Sequence, residues 1–181
     1  MLMTDFYVSE PMATVPENYK SPAQQAIFET LTRLDIPFLR VDTGDGTTME
    51  ACIPIGAKLE NPVIKTVFVT NRQQTLFWLY IMAPDKPFVT KEFCGALGIP
   101  RVSFASEEHL VSMMDTPHGA TTVLALINDK QHRIQLVIDK SIAQSQYISC
   151  TDGTNTGFVR LSMADLLDKY LHHTGHNPVL I

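Results

Sequence analysis

The chain is predicted to fold as an α+β domain, a mixed, mainly antiparallel central sheet flanked by helices. Three observations point there. Two apolar runs, Val67 to Val69 and Leu76 to Met82, flank a polar turn at Thr70 to Gln74, the pattern of two strands joined by a loop of hairpin length. Several shorter runs of strand character follow, joined more often through turns than through helical crossovers. Capped amphipathic stretches open at Ser21 and again at Ser162, so helices stand near both ends.

Taken in order, residues 1 to 20 carry Pro11 and Pro16 without any period and read as an extension, loose unless docked; one domain is expected over residues 21 to 181. Ser21-Pro22-Ala23-Gln24 supplies a capping residue, a proline at the first helical position and the glutamine of a capping box, with Ile27, Leu31 and Leu34 at helical spacing as far as Asp35. Pro37 to Val41 reads as a short strand, and Asp42 to Thr48 as a loop containing Gly44 and Gly46. A helical stretch from Met49 towards Lys58 contains Pro54, whose missing N–H and ring clash are expected to interrupt it. Residues 42 to 62 are thus expected to wall a pocket mouth.

Lys65 heads the first strand of the hairpin, and the second run is apolar at nearly every position, which places it at the centre of the sheet with both faces covered. Thr90 is expected to cap a helix carrying Phe93, Cys94, Ala96 and Leu97 and stopped by Gly98. Val102 to Phe104 reads as a strand. Ser106-Glu107-Glu108 then opens a helix reaching Met113 and Met114, with acids in the first turn where the helix dipole favours them. Val123 to Ile127 and Arg133 to Ile138 read as strands around an Asn128-Asp129-Lys130 turn, and Tyr147 to Cys150 with Phe158 to Leu161 as another pair turning at Asp152-Gly153. Ser162 and Asp165 cap the last helix, through Leu166, Leu167, Tyr170 and Leu171 to Gly175.

Composition narrows the function classes. The 181 residues, 45% hydrophobic and 18% charged, suffice for one sizeable core and not for two domains. No apolar run reaches the roughly 18 residues of a membrane helix, and the opening MLMTDFYVSEPM lacks a secretory leader, so a cytoplasmic protein is expected. Cys52, Cys94 and Cys150 are odd in number and far apart, which argues for reduced thiols. The formal charge of −5 argues against a broad phosphate-binding face, so a nucleic-acid partner would be held by a small local patch.

Two stretches could carry chemistry. Lys65 is either a solvated strand end or a cation at a pocket mouth, paired with a phosphate or a developing oxyanion; spacing leaves both open. Thr116 to Thr122, TPHGATT, is either an ordinary loop or a bend where Gly119 brings N–H groups against a ligand. His172, His173 and His176 have no acid or cysteine at ligand spacing; they are expected at the surface, with no metal. Cys150 is expected to be a buried structural thiol. The usual hydrolase, zincin and nucleotide-fold motifs are absent from the sequence.

The order of motifs is more specific than any one of them. Lys65-Thr-Val-Phe-Val, Asn71-Arg72-Gln73 through Phe77-Trp78-Leu79, Leu97-Gly98-Ile99 with Arg101-Val-Ser-Phe-Ala105, Gly119 through Asp129, Val137-Ile138-Asp139, Asn155-Thr156, Asp165-Leu166-Leu167 and Thr174-Gly-His-Asn-Pro178 together resemble the YbaK/prolyl-tRNA synthetase-associated domain family. Within it the chain is similar to the PrdX-type branch of free-standing Ala-tRNA(Pro) deacylases. The resemblance implies a hydrolase acting in trans on mischarged aminoacyl-tRNA, without metal or cofactor, whose partners are the tRNA 3′ aminoacyl end and, among proteins, prolyl-tRNA synthetase. It implies Lys65 and the backbone N–H groups of Gly119 and Ala120 as catalytic, and Thr66, Thr121, Thr122, Thr151 and Asn155 as substrate-binding. This chain departs from the family pattern in having Lys65-Thr66 where many relatives have Lys-Asn, Thr151-Asp152 where they have His-Pro, and Val123 in place of a proline. The missing imidazole opens an alternative, a binding paralogue that holds an aminoacyl end or an amino acid without hydrolysing it.

Overall fold

The hairpin that dominates the sequence forms the middle of a five-stranded sheet. In a computed structural model, which describes residues 6 to 181, β2 (Lys65–Asn71) and β3 (Phe77–Met82) pair antiparallel. β4 (Val102–Phe104) adds antiparallel to the outer edge of β2. On the other side β5 (Ile134–Ile138) runs parallel to β3, and β8 (Val179–Leu180) runs parallel to β5. A second sheet of three antiparallel strands has the order β1 (Phe38–Asp42), β7 (Gly157–Ser162), β6 (Tyr147–Thr151). The α+β reading therefore holds, with the strands divided between two sheets.

Burial follows the two-residue period of strands. Phe68 of β2 joins Leu79, Ile81, Leu136 and Ile138 in the main core, under α1 (Pro22–Arg33), α4 (Glu107–Met114) and the last helical region. Val67 and Val69 point to the opposite face, with Trp78, Tyr80 and Phe93, under α3 (Thr90–Leu97). Every residue of β3 is buried, as a strand covered on both faces requires. Met113 and Met114 are core residues.

Ser21 Oγ accepts from Gln24 N, while the Gln24 amide accepts from Lys20 N and donates to Asp152, so the start of α1 is tied to the β6–β7 turn. Residues 8 to 12 are docked: Ser9 N donates to Asp42 O, and Met12 and Arg40 exchange backbone hydrogen bonds. The first five residues of the expected extension lie outside the described residues.

Four expectations are corrected. The run Val123–Asn128 is a 3₁₀ helix, with Thr122 Oγ1 accepting from Leu124 N, instead of a strand; a short apolar run buried all round has no period to reveal its type. Residues 128 to 133 accordingly make no hairpin. The Asp129 carboxylate accepts from the N–H groups of Arg133 and Ile134 and turns the chain into β5, parallel to β3. Second, α2 (Met49–Leu59) runs through Pro54 without a break, capped by Thr48 Oγ1 on Ala51 N. The missing N–H removes a single intrahelical bond, while Ile55 and Leu59 of the same helix are fully buried. Third, Val89 takes the cap position of α3 and Thr90 is its first residue, with no side-chain cap. Fourth, His176 is buried, its Nε2 2.9 Å from Asp129 Oδ2 and its Nδ1 2.9 Å from Thr174 Oγ1. His172 and His173 are exposed as expected.

The last helical region comprises α6 (Met163–Asp165), a π-helical stretch at Leu166–Tyr170 and α7 (Leu171–Thr174). Between β5 and β6 lies the short α5 (Lys140–Ala143), capped by Asp139.

Candidate active site

The two sheets meet where β2 leaves the five-stranded sheet. Ile64 N donates to Ser149 O at 3.0 Å, and Asn61 Nδ2 donates to Ser149 Oγ at 2.9 Å, joining the start of β2 to β6. Further along, Ala105 N donates to Phe68 O. Residues of one parity along an antiparallel strand direct N–H and C=O to the same edge. Thr66, midway between Ile64 and Phe68, therefore turns its backbone N–H and C=O away from β3, into the gap between β6 and the end of β4.

That gap is a cavity of about 350 Å³, at the small end of the range for ligand sites. Lys65, Thr66, Gly119, Thr121 and Thr151 all contribute to its wall. The lysine at the head of the hairpin and the bend of TPHGATT, far apart in sequence, thus line one space. Met49 and Cys52 of α2, Phe104 of β4 and the exposed His118 complete its rim. Met49 and Cys52 fall within the 42–62 segment expected to wall a pocket mouth, and His118 within the TPHGATT bend; the sequence shows Phe104 only as part of a strand, because its place at the rim depends on how the elements meet.

The remaining expected residues are placed differently. Ala120 is fully buried; its N–H donates to Pro117 O at 3.1 Å, closing the bend, and its carbonyl accepts from Thr151 Oγ1 at 2.8 Å. Its amide is committed to the turn, so the bend's available donors are the N–H groups of Gly119 and Thr121, which have no hydrogen-bond partner among the described residues. Thr122 is buried and caps the 3₁₀ helix. Asn155 stands behind the bend: its carbonyl accepts from Gly46 N at 2.8 Å, and its buried Oδ1 has no partner among the described residues. Gly119 has φ +87°, and a Cβ there would lie 2.6 Å from Thr47 Cγ2; the approach of the loop before α2 leaves room for glycine alone.

Lys65 is oriented by a chain of contacts. Its Nζ donates to Lys86 O at 2.6 Å. Lys86 Nζ in turn lies 2.5 Å from Asp139 Oδ2, while Asp139 Oδ1 accepts from the backbone and hydroxyl of Ser141. Burial alone would raise the Asp139 carboxyl, but the hydrogen bonds from Lys86 and Ser141 outweigh it and hold it down at about 2. Burial pushes the Cys150 thiol up to about 12, which removes it as a nucleophile. Burial likewise raises Cys52. Among the described residues no group of three His, Cys, Asp or Glu side chains is placed to hold a metal ion.

An α+β fold with a small cavity between two sheets, walled by a lysine and a glycine bend, defines the class. Residues 44–169 match the family model of the aminoacyl-tRNA editing domain, and the chain belongs to that family. Among curated proteins it is similar to prolyl-tRNA synthetase associated domain-containing protein 1 of Danio rerio, 28% identical over 155 residues, covering 84% of this chain and 83% of the relative. The prolyl-tRNA editing protein ProX of Acetoanaerobium sticklandii is 24% identical over 144 residues, covering 80% and 88%. The fold is also that of a solved structure described as a candidate trans-editing enzyme for prolyl tRNA synthetase, with a TM-score of 0.64 at 12% identity, over 89% of this chain and 97% of that one. No helix among the described residues is long and apolar enough to cross a membrane.

Proposed function

We propose that this chain hydrolyses the ester joining a small amino acid to the 3′ end of a tRNA, in trans to the synthetase that attached it, with Ala-tRNA(Pro) as the first substrate to test. The observation that carries the reading is the shared cavity of Lys65 and the Gly119 bend. An aminoacyl ester is already activated, so a held water and donors aimed at the carbonyl oxygen suffice. Water adds to the ester carbon and gives up a proton, the Gly119 and Thr121 N–H groups stabilise the oxyanion, and as it collapses the C–O bond to the ribose breaks and that oxygen takes up the proton. In this reading His118, exposed at the rim, relays the proton from the water to that oxygen, and Thr66 offers a backbone donor and acceptor to the amino acid. Lys65 holds the terminal phosphate or polarises the site. The cavity's small volume favours a small acyl group, although each methylene discriminates by only about 1–3 kcal/mol, so the tRNA must contribute to the choice. The names of the relatives support a prolyl system, and prolyl-tRNA synthetase is a candidate partner.

The test is a panel of Ala-, Ser-, Thr- and Cys-charged tRNAs incubated with the purified protein. Deacylation of at least one above buffer hydrolysis is expected, with Lys65→Ala slower by roughly 10²–10³-fold. No turnover across the panel, or an undiminished Lys65→Ala, overturns the reading. One observation favours a second reading, a non-hydrolytic binder of aminoacyl ends: the Thr151 hydroxyl is already donated to Ala120 O and is not free to serve the leaving group. Binding of a non-hydrolysable aminoacyl-adenosine without turnover would select it.

A further inference from the structure

Phe104 is 71% exposed, unusual for a phenylalanine inside a strand. It ends β4 at the cavity rim, with Phe88 behind it at a ring-centroid distance of 5.9 Å. Ser103 and Val102 of the same strand, with Arg101 just before it, line a separate groove of about 700 Å³ that also takes in Arg72 and Trp78. Arg101 further lines an adjoining hollow with Lys91. Arg72, Lys91 and Arg101 are all exposed, no acid lines either groove, and no ion pair engages these cations among the described residues. In a chain of net charge −5, this is a local concentration of one sign.

We infer that β4 is the exit track for the single-stranded nucleotides adjoining the esterified terminus. Phe104 stacks a base as the strand leaves the cavity, and Arg101 and Arg72, with Lys91 beside them, take the phosphates behind it. The inference rests on the proposed RNA substrate and adds a binding surface to it. Continuity carries the argument: Phe104 belongs to the cavity and its neighbour Ser103 to the cationic groove, with Phe104 and Arg101 about 10 Å apart at the rise of a strand. An exposed aromatic followed by unpaired cations is how sequence-tolerant single-strand sites are built, since every base has a face to stack and every phosphate a charge to meet. A duplex would not need the aromatic.

The test uses the full chain and uncharged RNA, which separates binding from hydrolysis. Fluorescence anisotropy is measured with a 5′-labelled RNA hairpin carrying a single-stranded 3′ tail, and with its blunt counterpart. The parent is expected to prefer the tailed RNA, Phe104→Ala to lose roughly 10-fold on the tailed RNA alone, and Phe104→Trp to retain it. Arg72→Glu with Arg101→Glu should weaken tailed binding and flatten the salt dependence by about 0.7 per lost phosphate contact. All three side chains are exposed, so the variants are expected to fold. Equal binding of tailed and blunt RNA by the parent, or tailed binding unaltered in Phe104→Ala, overturns the inference. If the tailed preference is found without deacylation, the proposed reaction fails and the track stands. If deacylation proceeds with the same KM in Phe104→Ala and the arginine variant, the track fails and the reaction stands.

Discussion

Gly119 shows how one residue fixes the shape of the site. Its φ of +87° and the 2.6 Å that a Cβ would leave to Thr47 Cγ2 act together, so Gly119→Ala carries both backbone strain and a clash. The strain alone is about 1–3 kcal/mol, and calorimetry should find Tm lower by roughly 2–4 °C per kcal/mol in a chain of this size. Thr47→Gly in the same background should recover the clash but not the strain. A Tm equal to the parent's in the single variant would contradict the tight approach. His118, at the cavity rim, supports a second prediction: His118→Ala lowers kcat for deacylation about 10²-fold if the imidazole relays the proton, with KM little altered, whereas a change confined to KM would assign it to binding. The glycine bend was legible in the sequence because glycine and its flanking hydroxyls are a local pattern. The loss of Ala120's N–H to Pro117 O was not, since it depends on which way the bend closes.

At the scale of elements, the loop at 83–88 links the start of α5 to Lys65. Asp139 caps α5 with one carboxylate oxygen and holds Lys86 with the other, and Lys86 O orients Lys65. Its carboxyl, held at about 2 in the fold against roughly 3.9 in an unfolded chain, makes a stability contribution that is present above pH 4. That contribution is lost as pH falls through 2, because the unfolded chain then binds the proton first. Urea unfolding of the parent and Asp139→Asn across this range should show a difference of about 2 kcal/mol at neutral pH that shrinks below pH 4. A gap independent of pH would assign the effect to lost capping alone. Asp139 was legible only as a family motif, because its partner Lys86 lies in a different element. The elements misread, the 3₁₀ helix at Val123–Asn128 and the unbroken α2, share a cause: local pattern fixes periodicity and propensity, while tertiary burial of the apolar side chains overrides both.

At the scale of the whole molecule, the cavity exists because two sheets meet at the start of β2, and which strands pair is the least local feature of the chain. The antiparallel hairpin of β2 and β3 could be read from sequence; the parallel pairing of β3 with β5 and the contact of Ile64 with Ser149 could not, since neither leaves a turn signature. The same scale sets how the proposed RNA substrate would be met. With a net charge of −5, the far field repels a polyanion, and the attraction the proposed track offers comes from Lys65, Arg72, Lys91 and Arg101. Three or four neutralised phosphates correspond to a slope of log K against log salt of about −2 to −3 for a single strand, much shallower than a binder that grips a duplex along its length. A cavity this small admits only the aminoacylated end, so trimming the tRNA to its acceptor hairpin should leave kcat/KM within roughly 10-fold, the size of one good stacking contact. A slope steeper than about −5, which at this rate per contact requires twice the cations of the track, would mean that the protein engages the body of the tRNA through a surface other than β4. Collapse of activity on the trimmed substrate, with the slope still shallow, would place the missing recognition in uncharged contacts beyond the acceptor end.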